Sequence, residues 1–316
     1  MGSVLSAPHF HDEEAAYAFL EARVWPNGPV CPHCGGVERI SKMQGKSTRI
    51  GTYKCYQCRK QLTVKVGTVF ESSHVPLHIW LQAVALLTAS KKGISSNQLH
   101  RTLGVTLKTA WFMSHRIREA MRNGSLSPLG GGGKIVEADE TYQGRRATPR
   151  DVTTSGRPFI KKGKKGTPAK RAIISLVERG GEVRSFHVEN ADKATVNQIV
   201  TANIAREARV FTDESRLYND VAGYASEHDT VRHSAKEYVR GDVHTNTIEG
   251  LFSILKPGMG GVYQHCAEKH LHRYLAEFDF RYNNRVRLGI HDAERADNAL
   301  RGIVGKRLTY RTTRGG

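Results

Sequence analysis

The chain has 316 residues, room for two or three small domains, and 39% of them are hydrophobic, enough to fill a core. Lys and Arg outnumber Asp and Glu by 48 to 30, a formal net charge of +18 that favours a polyanionic partner, nucleic acid before membrane. No long apolar run or basic amphipathic anchor supports a membrane, and no secretory signal precedes His11-Asp-Glu-Glu14, so the expected setting is cytoplasmic and nucleoid-associated.

Residues 12–24 read as a short helix with Ala16, Phe19, Leu20 and Val24 along its apolar edge, broken by Trp25-Pro-Asn-Gly-Pro29. Cys31-Pro-His-Cys34 and Cys55-Tyr-Gln-Cys58 follow, with twenty residues between the pairs. That spacing suits two knuckles closing one tetrahedral thiolate site around a structural Zn2+, in a module too small to fold on burial alone. A rubredoxin-like iron centre and a chance pairing of reduced cysteines are the other readings of the same spacing. Leu62–Phe70 alternates like a strand that finishes the ribbon's sheet. From Leu77 the period turns helical, and Gly93 closes that helix. Ile94–Leu103, Gly104-Val-Thr106 and Leu107–Arg118 then read as helix, tight turn, helix, with Thr106 as N-cap. Thr109, Ser114, His115, Arg116 and Arg118 offer polar reach on the second helix, which reads either as a recognition helix, with Arg116 and Arg118 on DNA, or as half of an ordinary hairpin.

Gly130-Gly-Gly-Gly133 reads as a linker and domain boundary, after which strands and helices alternate. Lys134–Glu140 is a short strand, Arg171–Val177 and Val183–Val188 a hairpin, Lys193–Ala205 a helix, Ala208–Asp213 a strand, and Thr230–Ser234 a further one. The intervening loop, Arg145–Lys170, carries Lys161, Lys162, Lys164 and Lys165 among turn residues; it reads as a phosphate clamp or as a solvated face. His244–Lys256 sets Ile248, Leu251, Phe252 and Leu255 at core spacing, with Asn246, Glu249, Ser253 and Lys256 as a polar stripe, and Pro257-Gly258 ends it. Locally, Asn246-x-x-Glu249 fits a capping box. A second long helix covers His270–Arg285.

Asp139 and Asp213 each close a strand, and Glu249 rides the helix that comes after the strands. If the sheet brings the two strand ends together, the aspartates face one crevice, where open α/β folds place ligands. A third carboxylate on an adjacent helix completes an oxygen cage for two divalent ions, Mg2+ or Mn2+, of the kind that phosphodiester chemistry uses.

Thirty-five residues lie between Asp213 and Glu249, and Lys256 lies seven beyond. That resembles the DDE signature of transposases and integrases with an RNase H-like catalytic domain. Val136-Glu-Ala-Asp-Glu-Thr-Tyr142, Phe211-Thr-Asp-Glu-Ser215, His244-Thr-Asn-Thr-Ile-Glu249 and the Gly261–Tyr274 segment resemble more closely the zinc-ribbon, ISXO-like transposases of bacterial insertion sequences. The likeness runs from about Trp25 to Arg285 and departs from the family at Tyr142-Gln-Gly-Arg-Arg146, where Gly-Gly is expected.

The resemblance implies an α/β fold, an RNase H-like mixed sheet with helices, preceded by a zinc ribbon and a helix-turn-helix region. Its domains are an N-terminal helix (1–24), the ribbon (25–72), the helical DNA-binding region (74–126), the catalytic domain (134–290) and a basic tail (291–316). It implies Asp139, Asp213 and Glu249 as the metal-binding triad, with Asn246 the alternative third residue, and Lys256 as a contact to transposon-end DNA. The expected partners are transposon ends and target DNA, held by a homodimer or larger assembly without a membrane. Two rivals stand beside this reading: a nuclease on the same fold that cuts but never joins, and a zinc-ribbon DNA-binding regulator with an inert catalytic domain.

Overall fold

The structure is a computed structural model that describes residues 4–122, 127–145 and 170–309. Two compact units share the chain: Met1–Asn123 together with Asn284–Gly316, and Gly124–Asn283. Among the described residues no helix is long and apolar enough to cross a membrane.

In the first unit α1 (Glu13–Val24) starts where the Asp12 carboxylate accepts from the Ala15 amide at 2.7 Å, and it buries Ala16, Tyr17 and Leu20. The ribbon's strands, β1 (Ile40–Lys42), β2 (Tyr53–Cys55) and β3 (Gln61–Leu62), pair antiparallel in that order. The strand expected over Leu62–Phe70 stops at Leu62. Thr68 Oγ1 donates to the Lys65 carbonyl at 2.7 Å and Thr63 Oγ1 accepts from the Lys65 amide at 3.3 Å, so the chain curls into turns that bury Val64, Val69 and Phe70.

The apolar α2 (Leu77–Ala89) follows, its first amides, of Leu77 and His78, donating to the Glu13 carboxylate of α1 at 2.7 and 3.1 Å. Ser95 caps α3 (Ser96–Leu103), Gly104 ends it at φ 66°, and Thr106 caps α4 (Leu107–Ala120) through the Thr109 amide at 3.2 Å. The C-terminal segment is part of this unit rather than a separate tail. Its helix Asp292–Arg301 packs on α2, and Arg295 Nη1 donates to the Thr88 carbonyl at 3.2 Å.

In the second unit the strands are β4 (Ile135–Arg145), β5 (Lys170–Glu178), β6 (Val183–Val188), β7 (Arg209–Asp213) and β8 (Glu227–Val231), in sheet order β6-β5-β4-β7-β8. The first three run antiparallel, while β7 and β8 run parallel to β4, which is the RNase H-like arrangement. Val136, Ala138, Ile174, Leu176 and Val210 fill one face against α5 (Lys193–Asn203) and the turn carrying Tyr218 and Val221. Ile173, Val177 and Val183 fill the other, against α6 (Asn246–Pro257) and α7 (Leu271–Asn283). A two-stranded ribbon, β9 (Val239–Arg240) and β10 (Val243–His244), leads into α6.

Three local expectations change. The tetraglycine is an ordered turn, not a linker: Gly130 has φ +82°, its amide donates to Glu178 Oε2 at 2.9 Å, and a Cβ there would stand 2.3 Å from Ala208 Cβ. β4 runs past the departure from the family pattern to Arg145, absorbing a register shift at Gly144, φ +59°. Pro257-Gly258 does not end the winding of α6, because the missing amide of Pro257 is followed by a π-helical turn over Gly258–Tyr263.

Candidate active site and metal centre

The four cysteines of the ribbon converge, with every Sγ within 4.8 Å of the others and no disulfide among them. Cys31 Sγ lies 3.7 Å from Cys58 Sγ, and Cys34 Sγ 3.7 Å from Cys55 Sγ. A tetrahedron with Zn–S bonds of about 2.3 Å has edges of about 3.8 Å, so the donor set fits zinc in kind and in size. The amide of Cys58, then that of Gln57, holds the Cys55 thiol down at about 7, while burial and the three neighbouring thiols push Cys34 up to about 12, so without a metal the four do not ionise together.

The carboxylates of the second unit meet for a reason written in the sheet register. Parallel pairing sets Ile135 against Arg209, Val136 against Val210 and Glu137 against Phe211. The same offset carried two residues further brings Asp139 beside Asp213, where β7 ends. Carboxylate oxygens of Asp139, Glu140 and Asp213 all lie within 4.8 Å of one another. Glu140 enters from the opposite face of β4, on the side of the fully buried Tyr218.

Among the described residues, negative charge accumulates there. Burial, then the neighbouring Asp213 and Glu140 and more distantly Glu249, pushes Asp139 up to about 7, although the Glu140 amide donates to Asp139 Oδ1 at 2.7 Å. Burial also raises Glu140 and, with Glu140 and Asp139 beside it, the Tyr218 phenol. Hard oxygen donors that resist ionising together are the set a divalent cation relieves.

Glu249 is outside that tight cluster. Its side chain is 49% exposed, it accepts from Thr245 Oγ1 at 3.0 Å, and His233 Nε2 lies 3.7 Å away. Its charge nevertheless reaches Asp139. Asn246 is exposed at the first position of α6, and its amide donates to His244 Nδ1 at 3.3 Å. The expected capping box is not formed, because Thr245 is the N-cap and supplies no side-chain acceptor. The amides of Thr247 and Ile248 donate instead to Glu137 Oε2 of β4, at 2.9 and 3.0 Å. From the sequence Glu137, like Glu140 and Glu214, only borders the proposed site; what the sequence does not carry is its hold on the start of α6, since its one local signal is an acid in a strand, on the face shared with Asp139.

The expected DNA-contact residues divide. Lys256 is exposed in the last turn of α6, its Nζ 5.6 Å from the Phe252 ring centroid. Lys161, Lys162, Lys164 and Lys165 lie outside the described residues. Arg116 and Arg118 are corrected: they are 4% and 1% exposed. Arg116 donates to the Leu308 and Glu71 carbonyls at 3.1 and 2.8 Å, and Arg118 to Ser114 Oγ at 3.0 Å. The second half of α4 is enclosed, so these guanidinium groups serve the interior; the exposed end of the helix carries Leu107 and Lys108.

The family model described as the ISXO2-like transposase domain matches residues 128–283, and the transposase zinc-ribbon domain matches residues 11–61. An uncharacterized protein in transposable element ISH50 of Halobacterium salinarum is 29% identical over 278 residues, covering 86% of this chain and 91% of that protein. Among solved structures, the Mos1 strand transfer complex overlaps at TM-score 0.27 and 12% identity, over 70% of this chain and 73% of that one. The pre-cleavage Mos1 transpososome overlaps at TM-score 0.27 and 12% identity, over 92% and 89%. Superpositions this loose carry no residue correspondence.

Proposed function

The chain belongs to the ISXO2-like transposases with a zinc ribbon, and from that premise we propose that it cuts and joins DNA at the ends of an insertion sequence. The reaction is in-line phosphoryl transfer. A water oxygen attacks the phosphorus at the element's end, losing its proton, and the 3′-oxygen leaves and takes one up; the freed 3′-hydroxyl then attacks a phosphorus of target DNA, losing its proton, and the target's own 3′-oxygen leaves and is protonated. No covalent protein–DNA intermediate forms.

The carrying observation is the juxtaposition of Asp139, midway along β4, with Asp213 at the end of the parallel strand β7, with α6 packed on β4. Asp139, Asp213 and Glu249 would hold Mg2+ or Mn2+, which would supply charge neutralisation and a more acidic water. The aspartates hold their positions from a rigid sheet, and Glu249 is preferred to Asn246 because its charge already acts on Asp139. Glu140 adds negative charge from the opposite face of β4. Lys256 holds end DNA, and Lys161, Lys162, Lys164 and Lys165 clamp phosphates. The ribbon, folded on Zn2+, and the N-terminal end of α4 bind the terminal inverted repeats. Two ends are held together by a homodimer or larger assembly.

Strand transfer from pre-cut ends tests this reading and separates it from its rivals. Joined product is expected with Mg2+ or Mn2+ and is expected to fall at least about 1,000-fold on Asp139→Asn, the scale of losing a main electrostatic contributor. Cleavage without joining would mean a nuclease. Terminal-repeat binding with neither reaction would mean a regulator.

A further inference from the structure

We infer that Glu137 is a positioning residue that fixes the start of α6, and with it the third metal ligand, against the strand that carries Asp139. This rests on the proposed metal site and extends it to a residue that binds no metal.

Glu137 is 0% exposed, and both its carboxylate oxygens are committed. Oε1 accepts from Arg179 Nε at 2.6 Å and from Thr247 Oγ1 at 2.7 Å. Oε2 accepts from the Thr247 and Ile248 amides at 2.9 and 3.0 Å. Those amides belong to the second and third residues of α6, the donors that a side chain at the N-cap usually satisfies. Here the N-cap side chain faces the other way, since Thr245 Oγ1 donates to Glu249. The cap therefore comes from a central strand, and its negative charge suits the positive end of the helix.

The path from one proposed ligand to the other is short. Glu137 and Asp139 stand two residues apart on one face of β4, about 7 Å along a strand. Glu249 follows Ile248 directly. Between them lie only main chain and two charge-assisted hydrogen bonds. Arg179 holds the approach to the helix as well, donating to the carbonyls of Asp242 and His244 at 2.7 and 2.9 Å. The carboxylate thus ties β4, the end of the β9–β10 ribbon and the first turn of α6 into one rigid corner.

Mn2+ binding to the full chain, read by the electron paramagnetic resonance of free Mn2+, tests this without turnover. Glu249→Gln and Glu137→Gln are each expected to weaken Mn2+ binding about tenfold, and the double variant no more than either alone. Residues that act through one another give such non-additive pairs. A merely structural Glu137 would lower the melting temperature and leave Mn2+ affinity alone, or its loss would multiply with that of Glu249→Gln. Either result overturns the inference, as does a loss on Glu137→Gln where Glu249→Gln is silent. If Glu137→Gln does not fold, Thr247→Val removes one donor and decides instead, with about threefold weaker binding expected in the wild-type background and none added in Glu249→Gln. Asp139→Asn is the control: if it binds Mn2+ like wild type, the metal site itself is wrong and this inference falls with it.

Discussion

Asp139 carries the pH behaviour expected of the site. Burial first, then Asp213 and Glu140, pushes it up to about 7. A cation binds its ionised form, so below that value binding must displace one proton. Mn2+ affinity is therefore expected to be flat above pH 7 and to fall about tenfold per unit as pH drops towards 5. Titration calorimetry in buffers of different ionisation enthalpy checks this, with about one proton released per site at pH 6. Asp139→Asn is expected to abolish the binding rather than shift the profile. At this scale the sequence was informative where chemistry is local to the residue. Paired cysteines declare themselves by spacing, and Asp213 does end its strand, whereas Asp139, expected to close one, stands midway along β4, which runs on to Arg145. Arg116 and Arg118 gave no such signal, because an arginine on a helix looks the same whether it faces DNA or, as here, the carbonyls of Leu308 and Glu71.

At the scale of elements, both units begin a helix by borrowing a carboxylate from elsewhere in the chain. Glu13 of α1 starts α2 and Glu137 of β4 starts α6. Such caps are invisible to local pattern reading, which assigned the start of α6 to Asn246 and Glu249. Strands and helices of the second unit were legible because their periods of two and 3.6 follow from which face is buried. The tetraglycine was misread for a related reason, since glycine runs suit a flexible linker and a tight left-handed turn alike. Gly130→Ala distinguishes these, because a linker tolerates it. In the observed turn the new methyl meets Ala208 at a positive φ, and a loss of about 1–3 kcal/mol in urea unfolding of the second unit is expected.

The whole molecule is two compact units, the first closed by a C-terminal segment that returns after the second. Composition gave no hint of that return, because a basic, glycine-rich end reads as a tail, while the packing of Asp292–Arg301 on α2 is a tertiary fact. The four-cysteine cluster lies wholly within the first unit and the carboxylates within the second. Chelating zinc, or Cys55→Ser, is accordingly expected to lower the first unit's thermal transition and terminal-repeat binding, leaving the second unit's transition in place. A single transition that moved as one would contradict the division. With 48 basic to 30 acidic residues, the proposed DNA binding is expected to weaken steeply with salt, whatever sequence preference the first unit adds.

Everything proposed for the reaction depends on cations seated among Asp139, Asp213 and Glu249. An anomalous difference map from crystals of the full chain with Mn2+ measures this directly. The expected map has density between the carboxylates of Asp139 and Asp213, with Glu249 turned in to share the ion's coordination. Density elsewhere, or none at millimolar Mn2+ above pH 7, would contradict the account.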